Sequence, residues 1–158
     1  MYNESYIIFK SQIGNILIVE NKNKITNTYL TRKSIKNSNN KMLNNAKSQI
    51  NDYFNNKRKI FNIPLNPSGT EFQNKVWNIL VNIPFGSIST YLDIAKKLNT
   101  SPRAIGKACG TNPILIFIPC HRIISVTNKL TGFSALGGIK TKENLLNHEN
   151  LSFNKIIS

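Results

Sequence analysis

The spacing of apolar residues changes twice along this chain, and each change marks a different kind of element. Tyr6-Ile7-Ile8-Phe9 and Ile16-Leu17-Ile18-Val19 are runs of β-branched and aromatic residues parted by the turn signal Gln12-Ile13-Gly14-Asn15, which predicts a hairpin. Ile25 to Leu30 predicts a third strand, and the mostly polar residues 31–40 a loop. From Met42 the period lengthens. Met42, Leu43, Ala46, Ile50, Tyr53 and Phe54 recur at three- and four-residue spacing, as one face of an amphipathic helix requires. Pro64, Pro67 and Gly69 then interrupt the pattern, so residues 62–69 form the expected boundary between a domain of 1–66 and a second of 67–158.

The second domain reads as mainly helical. Thr70 followed by Gln73 predicts a capping box, and Phe72, Val76, Trp77 and Leu80 share one face of the helix behind it. Pro84-Phe85-Gly86 ends that stretch. Thr90 opens a helix with Tyr91, Ile94, Ala95 and Leu98 on one face; Ser101 caps another whose first residue is Pro102. Only Asn99 and Thr100 separate Leu98 from that serine, so the pair is a helix-turn-helix candidate with residues 102–109 as recognition helix. Its residues Arg103-Ala104-Ile105-Gly106-Lys107-Ala108 are too small and apolar to read base edges in a major groove, and suit the minor groove better. The expected class is α+β, with a short sheet in the first domain.

Composition adds direction without deciding it. A formal charge of +14 over 158 residues favours a polyanionic partner, although the abundance of Lys, Asn and Ile is also what an AT-rich coding sequence produces. No apolar run approaches the ~20 residues that span a bilayer, and the N-terminus lacks a basic region followed by a signal-peptide core. A cytoplasmic protein with no membrane association is expected. Cys109 and Cys120 are the two cysteines; a reducing compartment keeps both as thiols, and no Cys/His cluster has metal-ligand spacing, so neither metal nor cofactor is expected.

The stretch with the most chemistry is Ile118-Pro119-Cys120-His121-Arg122-Ile123-Ile124. A cysteine within an apolar run is often only a small packed residue. Here an imidazole and a guanidinium adjoin it, which predicts a lowered thiol pKa and a nucleophilic thiolate. Asn112-Pro113 precedes the run, where Asn112 is expected to fix the turn by bonding backbone; Gly132-Phe133-Ser134, Gly137-Gly138-Ile139, Lys142, Leu145-Leu146 and His148-Glu149 follow it. With Phe61, Pro64-Leu65, Gly69-Thr70, Phe72-Gln73, Val76-Trp77, Ile83-Pro84-Phe85-Gly86, Tyr91 and Ala95, this string resembles the O6-alkylguanine-DNA alkyltransferases over residues 59–149. The first ~60 residues are similar more loosely, through Ile13-Gly14-Asn15.

The resemblance implies a ribonuclease H-like first domain and a winged helix-turn-helix-like second one. It implies a reaction in which Cys120 accepts the alkyl group of O6-alkylguanine, or of O4-methylthymine, in double-stranded DNA bound through its minor groove. His121 would take the thiol proton through a water and Glu149 would orient His121. Arg103 would fill the gap left by an extruded base, Tyr91 would crowd the phosphate backbone, and Ala104, Gly106 and Lys107 would lie against the groove. Tyr91, Ile123, Phe133, where the family often has tyrosine, and Ser134 would line the base pocket. Lys142 matches a family lysine in Gly-Ile-x-x-Lys; a solvated helix lysine is its equal alternative. A stable thioether, with nothing to remove it, implies one turnover per molecule.

Three other readings compete. A lesion-recognising protein without transferase activity would have replaced the acceptor cysteine, which this chain keeps. A cysteine hydrolase suits Cys120, His121 and Glu149 poorly, because Cys120 and His121 are expected on an extended strand, where neighbours point to opposite sides. A transcription factor would want a dimerisation element, and none is legible; a monomer is expected.

Overall fold

The three runs of β-branched residues pair as one antiparallel sheet in sequence order: β1 (Glu4–Ser11), β2 (Gly14–Asn21) and β3 (Lys24–Thr31). The computed structural model describes residues 4–127, 130 and 132–149. Lys22 and Asn23 both take positive φ, 52° and 62°, the conformation a two-residue hairpin between twisted strands demands. Ile7, Phe9, Ile16, Ile18 and Leu30 are buried on the face that meets α1 (Lys41–Phe54), which contributes Leu43, Ala46, Ile50 and Tyr53. Asn40 caps this helix by accepting from the Leu43 N–H at 3.0 Å.

Both sheet edges are covered by irregular chain. Ile8 pairs with Lys36 beside β1. Beside β3, Ile25 exchanges hydrogen bonds with Pro64 and Asn66, and Thr28 with Pro113 and Leu115, all at 2.8–2.9 Å. Residues 113–117 therefore belong to the same compact unit as the chain up to 68. The second unit consists of 69–112 and the described residues between 118 and 149.

The second unit holds α2 (Glu71–Val81), α3 (Tyr91–Leu98), α4 (Pro102–Gly110) and α5 (Gly138–His148). A two-residue parallel pair, β4 (Ser89–Thr90) with β5 (Ile123–Ile124), joins the start of α3 to the chain just after Cys120. Thr70 and Gln73 form the reciprocal capping box, and Thr90 and Ser101 cap their helices as the sequence predicts. Asn99 at φ 54° ends α3 in the left-handed region, where a short polar side chain is tolerated. The Trp77 indole donates to the Ala108 carbonyl at 3.0 Å, tying α2 to α4. Gly69 lies so close under the Trp77 ring that a Cβ there would collide with it.

The expected strand through Cys120 does not form. Phe117 N–H bonds the Leu115 carbonyl at 2.9 Å around Ile116, whose φ of 74° is a rare conformation for a β-branched residue. Cys120 N–H bonds the Ile118 carbonyl at 2.8 Å around Pro119, at φ −81° and ψ 65°, an inverse γ-turn. Cys120–Arg122 then makes one 3₁₀ turn. Cys120 and His121 are therefore not held to opposite sides as neighbours on an extended strand would be.

Candidate active site

Every titratable group of this site lies in the second unit, and the carboxylate of Glu149 organises them. It follows α5 directly, 1% exposed. One oxygen accepts from Arg122 Nε at 2.8 Å and from the Gly86 N–H at 3.3 Å; the other meets His121 Nε2 at 2.7 Å and accepts from an Arg122 terminal nitrogen at 3.0 Å. Arg122 spends its remaining amine on the Ile83 carbonyl at 2.7 Å. The run Ile83-Pro84-Phe85-Gly86 thus supplies a backbone acceptor and a backbone donor to one ion-pair cluster, and Gly86 can do so because it takes φ 79°.

Burial alone would raise the Glu149 pKa, but hydrogen bonds and charge from His121 and Arg122 outweigh it and hold the carboxyl well below the usual carboxylate range. A carboxylate only accepts hydrogen bonds, so His121 donates from Nε2 and presents Nδ1 as an acceptor. Nδ1 is buried and has no hydrogen-bond partner among the described residues. Burial pushes the His121 pKa down, against the pull of Glu149, which keeps the ring neutral.

Cys120 is 6% exposed, and its thiol does not have the lowered pKa that its sequence neighbours suggest. Burial raises it. The Arg122 guanidinium is directed to Glu149, and the groups that pull the thiol pKa back down are a hydrogen bond with Asn112 and the charge of Lys142. Asn112 also donates from its amide to the Ile118 carbonyl at 2.8 Å, which holds the turn before Cys120. Lys142 is fully buried, which rules out the solvated-lysine alternative. Its ammonium lies 3.4 Å from the Tyr91 hydroxyl and 5.6 Å from that ring's centre, and burial brings its pKa down to about 8. Cys109 is packed on α4, its pKa pushed up to about 12 by burial.

Tyr91 connects this buried cluster to the surface. With Leu92, Pro102, Arg103, Gly106 and Gly132 it lines a cavity of about 480 Å³, a volume suited to a small organic group. A Cβ on Gly106 would stand 3.8 Å from the Tyr91 ring, in ordinary contact. Arg103 and Lys107 are exposed on α4, and Ala104 is half-buried. Ser134 is exposed and gives its hydroxyl to the Gly110 carbonyl at 2.8 Å; Phe133 is half-buried; Ile123 is fully buried on β5. None of these three lines the cavity.

Two features of this site differ from what the sequence suggests. Arg122 reads as a neighbour of the thiol but serves the carboxylate, and a residue pair so far apart in sequence leaves no local signal. The burial of Lys142 was legible: Lys142, Leu145, Leu146 and Glu149 are spaced as one helical face, and all four are buried.

Comparison with known proteins places the chain among relatives that share both of its domains. Residues 2–67 match the family model of the 6-O-methylguanine DNA methyltransferase ribonuclease-like domain, and residues 71–151 that of the same enzymes' DNA binding domain. The constitutive methylated-DNA–protein-cysteine methyltransferase of Bacillus subtilis is 36% identical, over 94% of this chain and 96% of its own length. That of Methanosarcina acetivorans is 40% identical over 91% and 97%. The crystal structure of Mycobacterium tuberculosis O6-methylguanine methyltransferase superposes with a TM-score of 0.83 at 33% identity, covering 92% of each chain. The same enzyme in complex with DNA gives 0.81 at 34%, again covering 92% of each. By sequence, fold and the matched length of both domains, the chain belongs to the methylated-DNA–protein-cysteine methyltransferase family.

Proposed function

We infer that this protein repairs DNA by direct reversal, moving the alkyl group of O6-alkylguanine onto its own Cys120. The observation that carries the reading is a buried thiol whose pKa is drawn down by Asn112 and by the charge of Lys142, followed directly in the chain by a buried His121 that Glu149 holds and whose Nδ1 is left as an acceptor. An alkyl carbon bonded to oxygen is a weak electrophile, so the thiolate must form at the moment of attack. His121 Nδ1 takes the proton through a water, the sulfur–carbon bond forms, the carbon–oxygen bond breaks with its electron pair left on the guanine, and that anion takes up the proton His121 received. The product is free guanine in DNA and S-alkylcysteine, and the protein is spent.

The geometry also supports base extrusion into the second unit. The cavity beside Tyr91 and Arg103 is mostly apolar in its lining residues, and the small residues of α4 allow close approach to a minor groove. Arg103 takes the place of the extruded nucleotide, and the protein acts as a monomer. O4-methylthymine is a second substrate under the same mechanism.

A duplex with isotopically labelled O6-methylguanine tests this directly. One methyl group should appear on Cys120 by mass spectrometry, and Cys120→Ser should bind methylated duplex without accepting it. Methylation of Cys109, or repeated turnover without added thiol, would overturn the assignment. Arg103→Ala should slow repair of duplex far more than reaction with free O6-benzylguanine, which needs no extrusion; equal slowing would remove Arg103 from that role.

A further inference from the structure

The first unit, which contributes nothing to the chemistry described above, is strongly basic. It contains eleven Lys and Arg residues against three acids, Glu4, Glu20 and Asp52. Two of those acids are occupied internally. Glu20 accepts from the Asn23 N–H at 2.8 Å and the Asn40 amide at 2.9 Å, while Asp52 faces Arg58 at 3.8 Å. The basic residues are left with few internal counter-charges.

Part of that charge surrounds exposed aromatic rings on one face of the sheet. Phe9 points toward α1, where Lys47 lies over its ring, so by alternation Tyr6, Ile8 and Lys10 of β1 point to the opposite face. The register carries that face across to Val19 and Asn27, to Leu17 and Tyr29, and to Asn15 and Thr31. Ile8 and Leu17 are buried at its centre, but Tyr6 and Tyr29 stand 41% and 44% exposed on either side. They are two strands and two residues apart, roughly 12 Å from strand spacing and rise. The Lys36 ammonium lies 4.2 Å from the Tyr6 ring centre and donates to the Tyr6 carbonyl at 3.0 Å, with its other N–H groups left over, and Lys10 is exposed at the end of the same row. Neither lysine is in an ion pair among the described residues.

We propose that this face of the sheet binds single-stranded DNA, with bases stacked on Tyr6 and Tyr29 and phosphates held by Lys10 and Lys36. Rings presented on a sheet beside lysines that no carboxylate neutralises are what a flexible polyanion with stacking bases requires. Proteins with an acidic patch would satisfy the lysines and leave the rings idle. The inference rests on the proposed repair activity only in naming DNA rather than RNA as the polymer.

Fluorescence anisotropy on the full chain with a labelled oligothymidylate of about twelve nucleotides, within the span of such platforms, supplies the test. Joint Tyr6→Ala and Tyr29→Ala substitution should weaken binding roughly tenfold or more, from the usual worth of base–aromatic stacking. Joint Lys10→Gln and Lys36→Gln substitution should reduce the slope of log K against log salt by about 0.7 for each phosphate no longer neutralised. Alkylation of Cys120 by free O6-benzylguanine should be unchanged in all of them, which reports an intact second unit. In the unsubstituted chain, photo-cross-linking of an iodouracil-containing strand should label Tyr6 or Tyr29. Unchanged affinity in the tyrosine variant, cross-links confined to residues 91–110, an equal loss on unmodified duplex, or tighter binding of oligouridylate would each overturn the proposal.

Discussion

Arg122 grips both oxygens of Glu149 with nitrogens of one rigid plane, so the carboxylate that fixes His121 is itself fixed. Arg122→Leu should leave a buried carboxylate with half its partners and destabilise the fold by about 3 kcal/mol or more, read by denaturant unfolding. Arg122→Lys, which keeps the charge but not the fork, should rescue only part of that stability. Lys142 sets a second expectation. Its charge lowers the pKa of a thiol that burial raises, so Lys142→Met should move the rise of alkylation rate with pH to higher pH. A thiol that ionises one pH unit later has about tenfold less thiolate at neutral pH. An unchanged pH profile with free O6-benzylguanine would show that Lys142 acts through packing alone. At this scale the sequence makes Cys120, His121 and Glu149 legible as chemistry because their types are unusual in their surroundings. It does not disclose that the guanidinium beside Cys120 turns away, since that is decided by a carboxylate and a carbonyl brought from distant parts of the chain.

The helices are the elements that local sequence specifies, because their starts carry their own signals: Asn40, Thr70, Thr90 and Ser101 each accept a backbone N–H of the first turn. Three of those four caps are legible from the sequence alone, and so is the alternation in β1 and β2. The chain from Pro113 to Arg122 is not, because an aliphatic run looks the same whether it lies in a strand or in turns. Its path follows from outside the run: Thr28 holds Ile114 and its neighbours at one end, and the Asn112 amide holds Ile118 at the other. Helix α5 begins differently, with Gly137 at φ 86° and no side-chain cap, close against the Thr141 side chain. Gly137→Ala should therefore cost at least about 1 kcal/mol from the left-handed backbone alone, more from the collision with Thr141. Because α5 carries Lys142 and leads into Glu149, the variant should also react more slowly with O6-benzylguanine; wild-type melting and rate would mean the helix start shifts without effect.

For the molecule as a whole, acid is the condition to which this site should be most sensitive. The His121 pKa is held below 6.5 by burial, so the stability it contributes is complete above pH 6.5 and is lost as the pH falls from there toward the depressed value. Burial opposes ionisation of Glu149, but His121 and Arg122 hold its pKa below 4.5, so its contribution is lost further down, below pH 4.5. Unfolding free energy should fall on going from pH 7 to pH 2.5, and Glu149→Gln should flatten the part of that fall below pH 4.5; parallel curves for the two proteins would contradict the assignment. The division into units was only half legible. The Pro- and Gly-containing stretch 62–69 marks one crossing, whereas Gly110 and Asn112-Pro113 announce only a turn, and nothing local says that residues 113–117 return to the first unit. That return makes the chain topologically inseparable by a single scission. A protease nick at 68 would leave the larger fragment still holding Ile114, which bridges to Thr28 of the smaller one. The smaller fragment would lack a bordering segment of its sheet, and the larger would bare Leu115 and Phe117, which are otherwise buried. Two such halves made separately should be poor proteins alone and should find each other when mixed, so the gene tolerates being split where it would not tolerate being halved.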